Sequence, residues 1–320
     1  MVAVRERVFP DLAASRLYDM GPRIVAAMSR YGWTATHFPL GLIDYDADIR
    51  GMLAACEAAQ ADLLLIDEPI QASGELQSRA QFITTLRQNR PGIRIISLQF
   101  DPWGIPRDVL QGIAAIVDGV WTNSPSMPIW DDRMFAGKMI YVPFPHAGQG
   151  GITHLRPTPD LTLSGGIFAY NWPRIFWLAT KRHGIPINFV RSNHQSDDMS
   201  VLDSYAAYMK RLASTGCSLN FSMRQDGSRV LTGRLFETLL AGALLVQEDT
   251  DDAEHYVVPG EHYLRFSSVA ELRAIVQFIA EQPEQADIIR RRGNAFAHAC
   301  YNDDRLISAF DIWLREREPV

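Results

Sequence analysis

The chain has 320 residues, and 37 acidic against 31 basic side chains give it a formal net charge of −6. An acidic chain without a basic run lacks the broad phosphate-neutralising surface of general nucleic-acid-binding proteins. Its three cysteines lie far apart in the sequence and indicate neither a disulfide framework nor a zinc site. The length exceeds that of one ordinary domain, so we expect two domains of roughly 150 residues each.

The longest apolar stretch, Leu239 to Val246, is much shorter than the roughly 20 residues that a membrane-spanning helix needs. The N-terminal residues 1–7 lack the apolar core of a signal peptide. We therefore expect a soluble, cytoplasmic protein, for which peripheral contact with a membrane surface stays open.

Helices and strands alternate through the first half of the chain. Helical spacing of apolar residues predicts helices over residues 20–31, 47–59, 79–87 and 107–116. Short apolar runs predict strands over residues 33–40, 61–67, 93–99, 119–122 and 139–142. This alternation predicts a parallel sheet with helices on both faces.

Residues 147–160 interrupt the pattern because they are rich in Gly and Pro, which break helices and sheet ladders. We place the domain boundary there, with an N-terminal domain over residues 1–150 and a C-terminal domain over residues 151–303. The segment 304–320 carries a separate C-terminal helix, for which packing back toward the N-terminal domain is one possibility.

The second half repeats the alternation. Strands are predicted over residues 161–166, 185–190, 218–221 and 243–247. Helices are predicted around residues 174–182 and over residues 200–213, 230–241, 269–281, 287–300 and 304–315. The fold class is therefore α/β, with two doubly wound, Rossmann-like units in tandem. Ligands of such sheets bind beyond the carboxyl ends of the strands, where the strand order reverses.

The helix predicted over residues 230–241 carries a polar pair. Arg234 and Glu237 lie three residues apart and share one face, and the preceding loop adds Arg224 and Arg229. Arginines beside a helix N-terminus suit a diphosphate, and a carboxylate one turn deeper could accept two hydrogen bonds from a ribose diol. An ordinary surface ion pair between Arg234 and Glu237 is an equally good interpretation of the spacing.

The segment Arg234-Leu-Phe-Glu237-Thr-Leu-Leu-Ala-Gly242, followed by Pro259-Gly-Glu, resembles the C-terminal domain of group 1 glycosyltransferases in their CgeB-like branch. The resemblance extends over roughly residues 160–305 and is weaker in the first half of the chain. It implies the GT-B fold, in which two Rossmann-like domains face a central cleft. It also implies a nucleotide-sugar donor, of the UDP or GDP type.

The resemblance implies roles for individual residues. Glu237 matches the carboxylate that binds the nucleotide ribose, Gly165 and Gly166 match a glycine turn that faces the diphosphate, and Arg174 matches the basic residue after it. Two glycines do not make a full dinucleotide-binding motif, and a tight turn without a ligand is an alternative. Many retaining members carry a glutamate where this chain has Arg229, which leaves donor identity and stereochemical outcome open.

Two residues are candidates for proton transfer. Asp101 follows a predicted strand end and resembles the Asp-Pro element of CgeB-like N-terminal domains, so it is a candidate base for the acceptor hydroxyl. His146 follows another strand end and is a candidate for sugar contact or proton transfer. The alternatives are a turn-capping role for Asp101 and a structural role for His146.

Asp249-Thr-Asp251-Asp252 has the spacing of a metal-binding D-x-D motif. It follows a predicted strand in an acidic loop, and GT-B enzymes as a class do not need it. We therefore expect a solvated loop, no metal ion and no cofactor, with arginines stabilising the departing diphosphate.

The resemblance implies a metal-independent glycosyltransferase that moves a sugar from a nucleotide sugar to a hydroxyl of a glycan, a lipid-linked or a protein acceptor. Surface glycan, glycolipid or glycoprotein synthesis is the implied setting. Two alternatives stay open: a non-catalytic sugar-nucleotide-binding or assembly protein of a polysaccharide system, and a sugar-nucleotide 2-epimerase on the same fold. The sequence indicates neither the sugar nor the oligomeric state.

Overall fold

The structure is a computed structural model that describes residues 2–7, 20–40, 45–67, 73–99, 102, 105–145, 155–165, 184–191, 205–223 and 227–317. The described residues form two compact units. Unit 1 contains those up to Pro145 and those from Asp303 onward, and unit 2 contains those between these limits.

Unit 1 is built on a parallel sheet. Its strands are β1 (Val2–Arg7), β2 (Ala35–Leu40), β3 (Leu63–Asp67), β4 (Arg94–Gln99), β5 (Gly119–Thr122) and β6 (Met139–Ile140). They lie in the order β2-β1-β3-β4-β5-β6, and each neighbouring pair is parallel. The chain order reverses beside β1, which makes the sheet doubly wound.

Helices cover both faces of this sheet. They are α1 (Met20–Arg30), α2 (Tyr45–Ala58), α3 (Ser73–Asn89), α4 (Arg107–Ile116) and the C-terminal α10 (Asp303–Arg315). Side chains alternate along β3, so Leu64 and Ile66 pack into a core with α2, α3 and α4. Leu63 and Leu65 face the opposite core, which contains buried residues of α1 and α10.

The C-terminal helix α10 is an integral part of unit 1. The ring of Phe310 stacks on that of Trp121, with centroids 4.4 Å apart. Trp313 Nε1 donates a hydrogen bond to the backbone oxygen of Met139 at 3.0 Å, and Arg94 donates to the backbone oxygen of Leu314. These contacts join the last helix to residues near strands β4, β5 and β6.

Unit 2 contains a second parallel sheet. Its strands are β7 (Leu161–Gly165), β8 (Ile187–Arg191), β9 (Cys217–Asn220), β10 (Leu244–Glu248) and β11 (Leu264–Phe266). Their order is β11-β10-β9-β7-β8, again with parallel neighbours. The chain order reverses between β7 and β9, so ligand binding is expected at the carboxyl ends of these strands.

The helices of unit 2 are α5 (Tyr205–Ala213), α6 (Arg234–Ala241), α7 (Asp251–Glu254), α8 (Val269–Glu281) and α9 (Pro283–Cys300). Along β10, Leu244 and Val246 pack with α8, whereas Leu245 faces the core that contains α6. Both faces are therefore covered here too. Within the described ranges, none of the helices combines the length and hydropathy needed to cross a bilayer.

Helix α6 begins later than its apolar spacing predicts. Val230 N donates to Ser222 O at 3.0 Å, and Met223 and Arg229 form an antiparallel bridge. These backbone bonds hold residues 229 and 230 in a loop closure, so the helix begins only at Arg234. It ends at Gly242, whose φ of 79° is a left-handed conformation that glycine adopts without strain.

Candidate functional site

Polar side chains collect where β9 and β10 end. Asn220 is the last residue of β9 and lies opposite Gln247 of β10, with Glu248 following. Asn220, Gln247 and Glu248 are at most 1% exposed. Buried polar groups at the carboxyl edge of a parallel sheet, beside its switch point, form a candidate binding site.

Arg234 opens α6 beside this edge. Its side chain is half-buried, and Nη1 donates to Oδ1 of Asn220 at 3.1 Å. Among the described residues, no carboxylate forms an ion pair with Arg234, and this includes the carboxylate of Glu237. The surface ion pair between Arg234 and Glu237 is therefore not formed. The guanidinium charge is held by a neutral amide.

Asn220 and Gln247 form a buried chain of amides. Asn220 Nδ2 donates to Gln247 Oε1 at 2.6 Å. Gln247 Nε2 in turn donates to Ser222 Oγ at 2.6 Å and to the backbone oxygen of Glu248 at 2.9 Å. Thr232 Oγ1 lies 3.2 Å from Asn220 Nδ2. This network fixes the neighbourhood of Arg234.

Glu237 lies one turn into α6, and its side chain is 8% exposed. Tyr208, on α5, donates from its hydroxyl to Glu237 Oε2 at 2.9 Å. A buried carboxylate is costly unless it accepts hydrogen bonds, so the tyrosine stabilises Glu237 in this position.

Glu248 holds the start of the loop that precedes α6. Its Oε2 accepts the backbone N–H groups of Ser222 at 2.7 Å and of Met223 at 2.9 Å. Burial raises the pKa of the Glu248 carboxyl, and the two N–H donors act in the opposite direction. Glu248 therefore ties the loop to β10.

Arg229 is held at the other end of this loop. Its Nη1 lies 2.6 Å from Asp249 Oδ2 and 3.0 Å from the backbone oxygen of Asp249. Arg265 lies near the same carboxylate, at 3.6 Å, and pairs with Glu254. The charge of Arg229 is therefore balanced by a protein carboxylate, in contrast to that of Arg234.

The acidic segment after β10 differs from the expected solvated loop. Asp251 is exposed and begins the short helix α7, but Asp252 is 1% exposed and Asp249 is ion-paired. The expectation is wrong for Asp249, because arginines distant in the sequence fold onto it, and for Asp252, because its side chain is buried. In the part of the chain that the structure describes, no three His, Cys, Asp or Glu side chains are grouped so as to hold a metal ion.

Several candidates from the sequence lie outside the described residues: Asp101, His146, Gly166, Arg174 and Arg224. Gly165 is the last residue of β7, at the switch point. The structure thus brings Arg234 and Glu237 to one edge of unit 2 and leaves the acceptor-side candidates untested.

Sequence reasoning missed Tyr208, Asn220, Gln247 and Glu248. A signal for two of them exists, because Asn220 and Gln247 each follow a buried apolar run where a strand ends. Polar residues at the carboxyl ends of neighbouring parallel strands share one edge of the sheet. Tyr208 has no comparable signal, since its partner lies 29 residues away.

Solved structures that resemble the whole chain show its fold. HepE of Anabaena, in complex with UDP and glucose, matches with a TM-score of 0.64 at 11% identity over 98% of this chain and 99% of its own. A glycosyltransferase of Rickettsia africae matches with a TM-score of 0.65 at 8% identity over 100% and 99% of the two chains. The UDP-GlcNAc 2-epimerase of Neisseria meningitidis, bound to UDP-GlcNAc, matches with a TM-score of 0.53 at 11% identity over 99% and 100%.

At these identities the likeness shows the fold, and that fold is GT-B, as predicted. Residues 166–309 match the family described as glycosyl transferase-like. This segment is therefore a glycosyltransferase domain of the CgeB-like kind, and the predicted resemblance is confirmed. Among curated proteins, none matches the sequence of the chain.

Proposed function

We propose that the protein is a glycosyltransferase that moves a sugar from a UDP-sugar to a hydroxyl group of a glycan, lipid-linked or protein acceptor. Surface glycan, glycolipid or glycoprotein synthesis in the cytoplasm is the proposed setting. One observation carries the proposal: the half-buried guanidinium of Arg234 stands at the switch-point edge of a glycosyltransferase-family domain without a carboxylate partner among the described residues.

This arrangement suits a diphosphate. A guanidinium carries five N–H donors, and the described contacts of Arg234 use one nitrogen, Nη1, toward Asn220. A partly buried cation gains most from an anion that approaches it, and charge-assisted bonds from Arg to phosphate are short and strong. The diphosphate of a nucleotide sugar supplies that anion. HepE, which shares the fold, holds UDP in its structure.

The second step of the proposal concerns the nucleoside. Glu237 follows Arg234 by one turn of α6 and is anchored by Tyr208. A fixed carboxylate at this depth suits a ribose diol, which donates two hydrogen bonds. Gly165 and Gly166, with Arg174 and Arg224, remain the other proposed donor-binding residues. Arg229 is proposed to bind the donor through its other N–H groups, because Asp249 already balances its charge.

The proposed chemistry is a displacement at the anomeric carbon. The bond from that carbon to the diphosphate oxygen breaks, a bond to the acceptor oxygen forms, and the diphosphate leaves with the bonding electrons. Arg234 stabilises the charge that develops on the leaving group. We assign removal of the acceptor proton to Asp101 or His146.

The test measures binding first and turnover second. Arg234→Ala and Glu237→Ala should each weaken the binding of UDP by about tenfold or more, because a hydrogen bond to a charged group contributes about 1.5–3 kcal/mol. Asp251→Ala, an exposed residue of the same unit, should bind UDP like the wild type. Unchanged UDP affinity in both of the first two variants would refute the site.

Turnover then separates the candidate functions. Release of UDP from a panel of UDP-sugars that depends on an acceptor supports the transferase. Interconversion of UDP-sugars without an acceptor identifies a 2-epimerase, the activity of a protein that shares the fold. Tight binding without turnover on any acceptor or water identifies a sugar-nucleotide-binding protein.

A further inference from the structure

We propose that Asn220 and Gln247 are positioning residues that keep the positive charge of Arg234 available to the ligand, and thereby set the preference of the site for a diphosphate. The proposal rests on the proposed function, since it deepens the role of Arg234. Neither amide needs to touch the ligand, because both side chains are fully buried.

The backbone oxygen of Glu248, at one end of the amide chain, determines which amide atoms donate and which accept. The backbone oxygen of Glu248 can only accept, and it receives Gln247 Nε2 at 2.9 Å and Ser222 Oγ at 3.1 Å. Because the Ser222 hydroxyl gives its hydrogen to that oxygen, Ser222 Oγ accepts from Gln247 Nε2 at 2.6 Å. The nitrogen of the Gln247 amide therefore faces these acceptors, and its oxygen faces Asn220.

The same logic fixes the next amide. Gln247 Oε1 can only accept, so the group that meets it at 2.6 Å is the nitrogen of Asn220. Asn220 Oδ1 is thereby turned toward Arg234 Nη1, at 3.1 Å. Reversing the Asn220 amide would bring two N–H donors together. A peptide carbonyl at the end of β10 thus determines how the guanidinium is held beside β9.

The neutrality of the last acceptor is what matters for the ligand. Other arginines of unit 2 bind carboxylates: Arg229, for example, pairs with Asp249 at 2.6 Å, and Arg290 pairs with Asp287 at 2.7 Å. A carboxylate at position 220 would likewise pair with Arg234 and cancel its charge. An amide oxygen orients the guanidinium through its dipole alone and leaves the full charge for an anion.

The experiment is a double-mutant cycle read out by UDP affinity in isothermal titration calorimetry. Asn220→Asp replaces the side-chain amide by a carboxylate of nearly the same shape and gives Arg234 an anionic partner. We expect it to weaken UDP binding at least about tenfold. The unfolding temperature should fall as well, because the new carboxylate oxygen has no hydrogen to donate to Gln247 Oε1. In an Arg234→Gln background the same change should weaken UDP binding much less than in the wild type, because the charge that it cancels is gone and only direct repulsion of the diphosphate is left.

The matched control is Asn188→Asp, which adds the same charge at an exposed position of β8. It should bind UDP within about twofold of the wild type. Uridine, measured by competition, supplies a second readout, because it lacks the diphosphate. Asn220→Asp should weaken UDP much more than uridine, whereas general damage to the site would weaken both alike.

The outcomes distinguish this proposal from the proposed function. Failure of the wild type to bind UDP refutes the function itself. Normal binding by the wild type, together with equal affinity in Asn220→Asp or an equal loss with and without Arg234, overturns the positioning role alone. If Asn220→Asp reduces the folded population, Asn220→Ser replaces it in the cycle, because it removes the amide that orients Arg234. A loss of UDP affinity that shrinks in the Arg234→Gln background then supports the positioning role, and an equal loss in both backgrounds contradicts it.

Discussion

The hydroxyl of Tyr208 lies 2.9 Å from Oε2 of Glu237 and joins α5 to the first turn of α6. Both side chains are less than a tenth exposed, so the bond forms where water does not replace it easily. Tyr208 therefore fixes the position of the Glu237 carboxylate, which we propose binds the ribose. Two groups that are distant in the sequence act as one unit in the proposed site.

Tyr208→Phe should reduce the discrimination between UDP and 2′-deoxy-UDP. Removing the hydroxyl leaves Glu237 without one charge-assisted hydrogen bond, so the carboxylate is no longer held for the diol. A loss of about 1.5–3 kcal/mol corresponds to a tenfold or larger fall in UDP affinity. Calorimetric titration of both nucleotides measures it. The deoxy nucleotide should lose much less, and Tyr31→Phe, at an exposed tyrosine, should change neither.

Glu248→Gln should become relatively more stable than the wild type as the pH rises. Burial raises the pKa of Glu248 above its ordinary value of 4.5, so the folded state holds this proton more tightly than the unfolded state does. The resulting stability is fully present below pH 4.5 and is lost as the pH rises through the raised pKa. Glutamine stays neutral and keeps an oxygen for the two N–H groups, so it avoids this loss.

Urea denaturation of Glu248→Gln and the wild type at several pH values measures the difference in the free energy of unfolding. The control is Glu271→Gln, because the hydrogen bonds from Ser267 lower the pKa of Glu271 below 4.5. Its difference from the wild type should be flat between about pH 5 and pH 8, where Glu271 is ionised in both states. A flat difference for Glu248→Gln over the same range would contradict the raised pKa.

Local patterns predict most elements of both sheets, but not those that depend on distant partners. Strand β1 has charged residues in its second half, Arg5-Glu-Arg7, and therefore lacks an apolar run. It forms because β2 and β3 pair with it on its two sides. The predicted helix over residues 230–241 starts too early, because the spacing of apolar residues gives no information on the backbone hydrogen bond from Val230 to Ser222.

The candidate site likewise contains residues that local patterns predict and residues that depend on distant partners. Arg234 and Glu237 are found from one helical turn and from a family resemblance, both of which are local in the sequence. Their partners Asn220 and Tyr208 lie 14 and 29 residues away and come from other elements. Hydrogen bonds across strands and helices follow from the packing of the sheet, so the sequence predicts the ligand-facing residues better than those that orient them.

Gly293→Ala should destabilise unit 2, although alanine is the better helix former. In the interior of α9 the exchange would by itself gain up to about 1 kcal/mol. An added Cβ would, however, lie 2.2 Å from the backbone oxygen of His262 and 2.9 Å from Leu239 Cδ2. Overpacking against a backbone atom costs about 1–3 kcal/mol or more. A lower urea midpoint is expected, and Gly92→Ala, which meets no atom within 4 Å, should not show it.

Phe310→Ala should strongly destabilise unit 1. The ring of Phe310 is fully buried and stacks on Trp121, so truncation removes buried apolar area and leaves a cavity beside β5. Large-to-small changes of this kind cost about 3–5 kcal/mol. Equilibrium urea unfolding followed by tryptophan fluorescence measures the effect through the environment of Trp121.

Ile312, two residues further along α10, provides the comparison because its side chain is 53% exposed. Ile312→Ala should change the free energy of unfolding by less than about 0.5 kcal/mol. The two substitutions remove apolar side chains from the same helix, so a difference between them reports burial rather than helix propensity. Equal and small effects would mean that α10 does not belong to the core of unit 1. A large effect of Phe310→Ala alone would mean that the last helix of the chain stabilises the sheet formed by its first half.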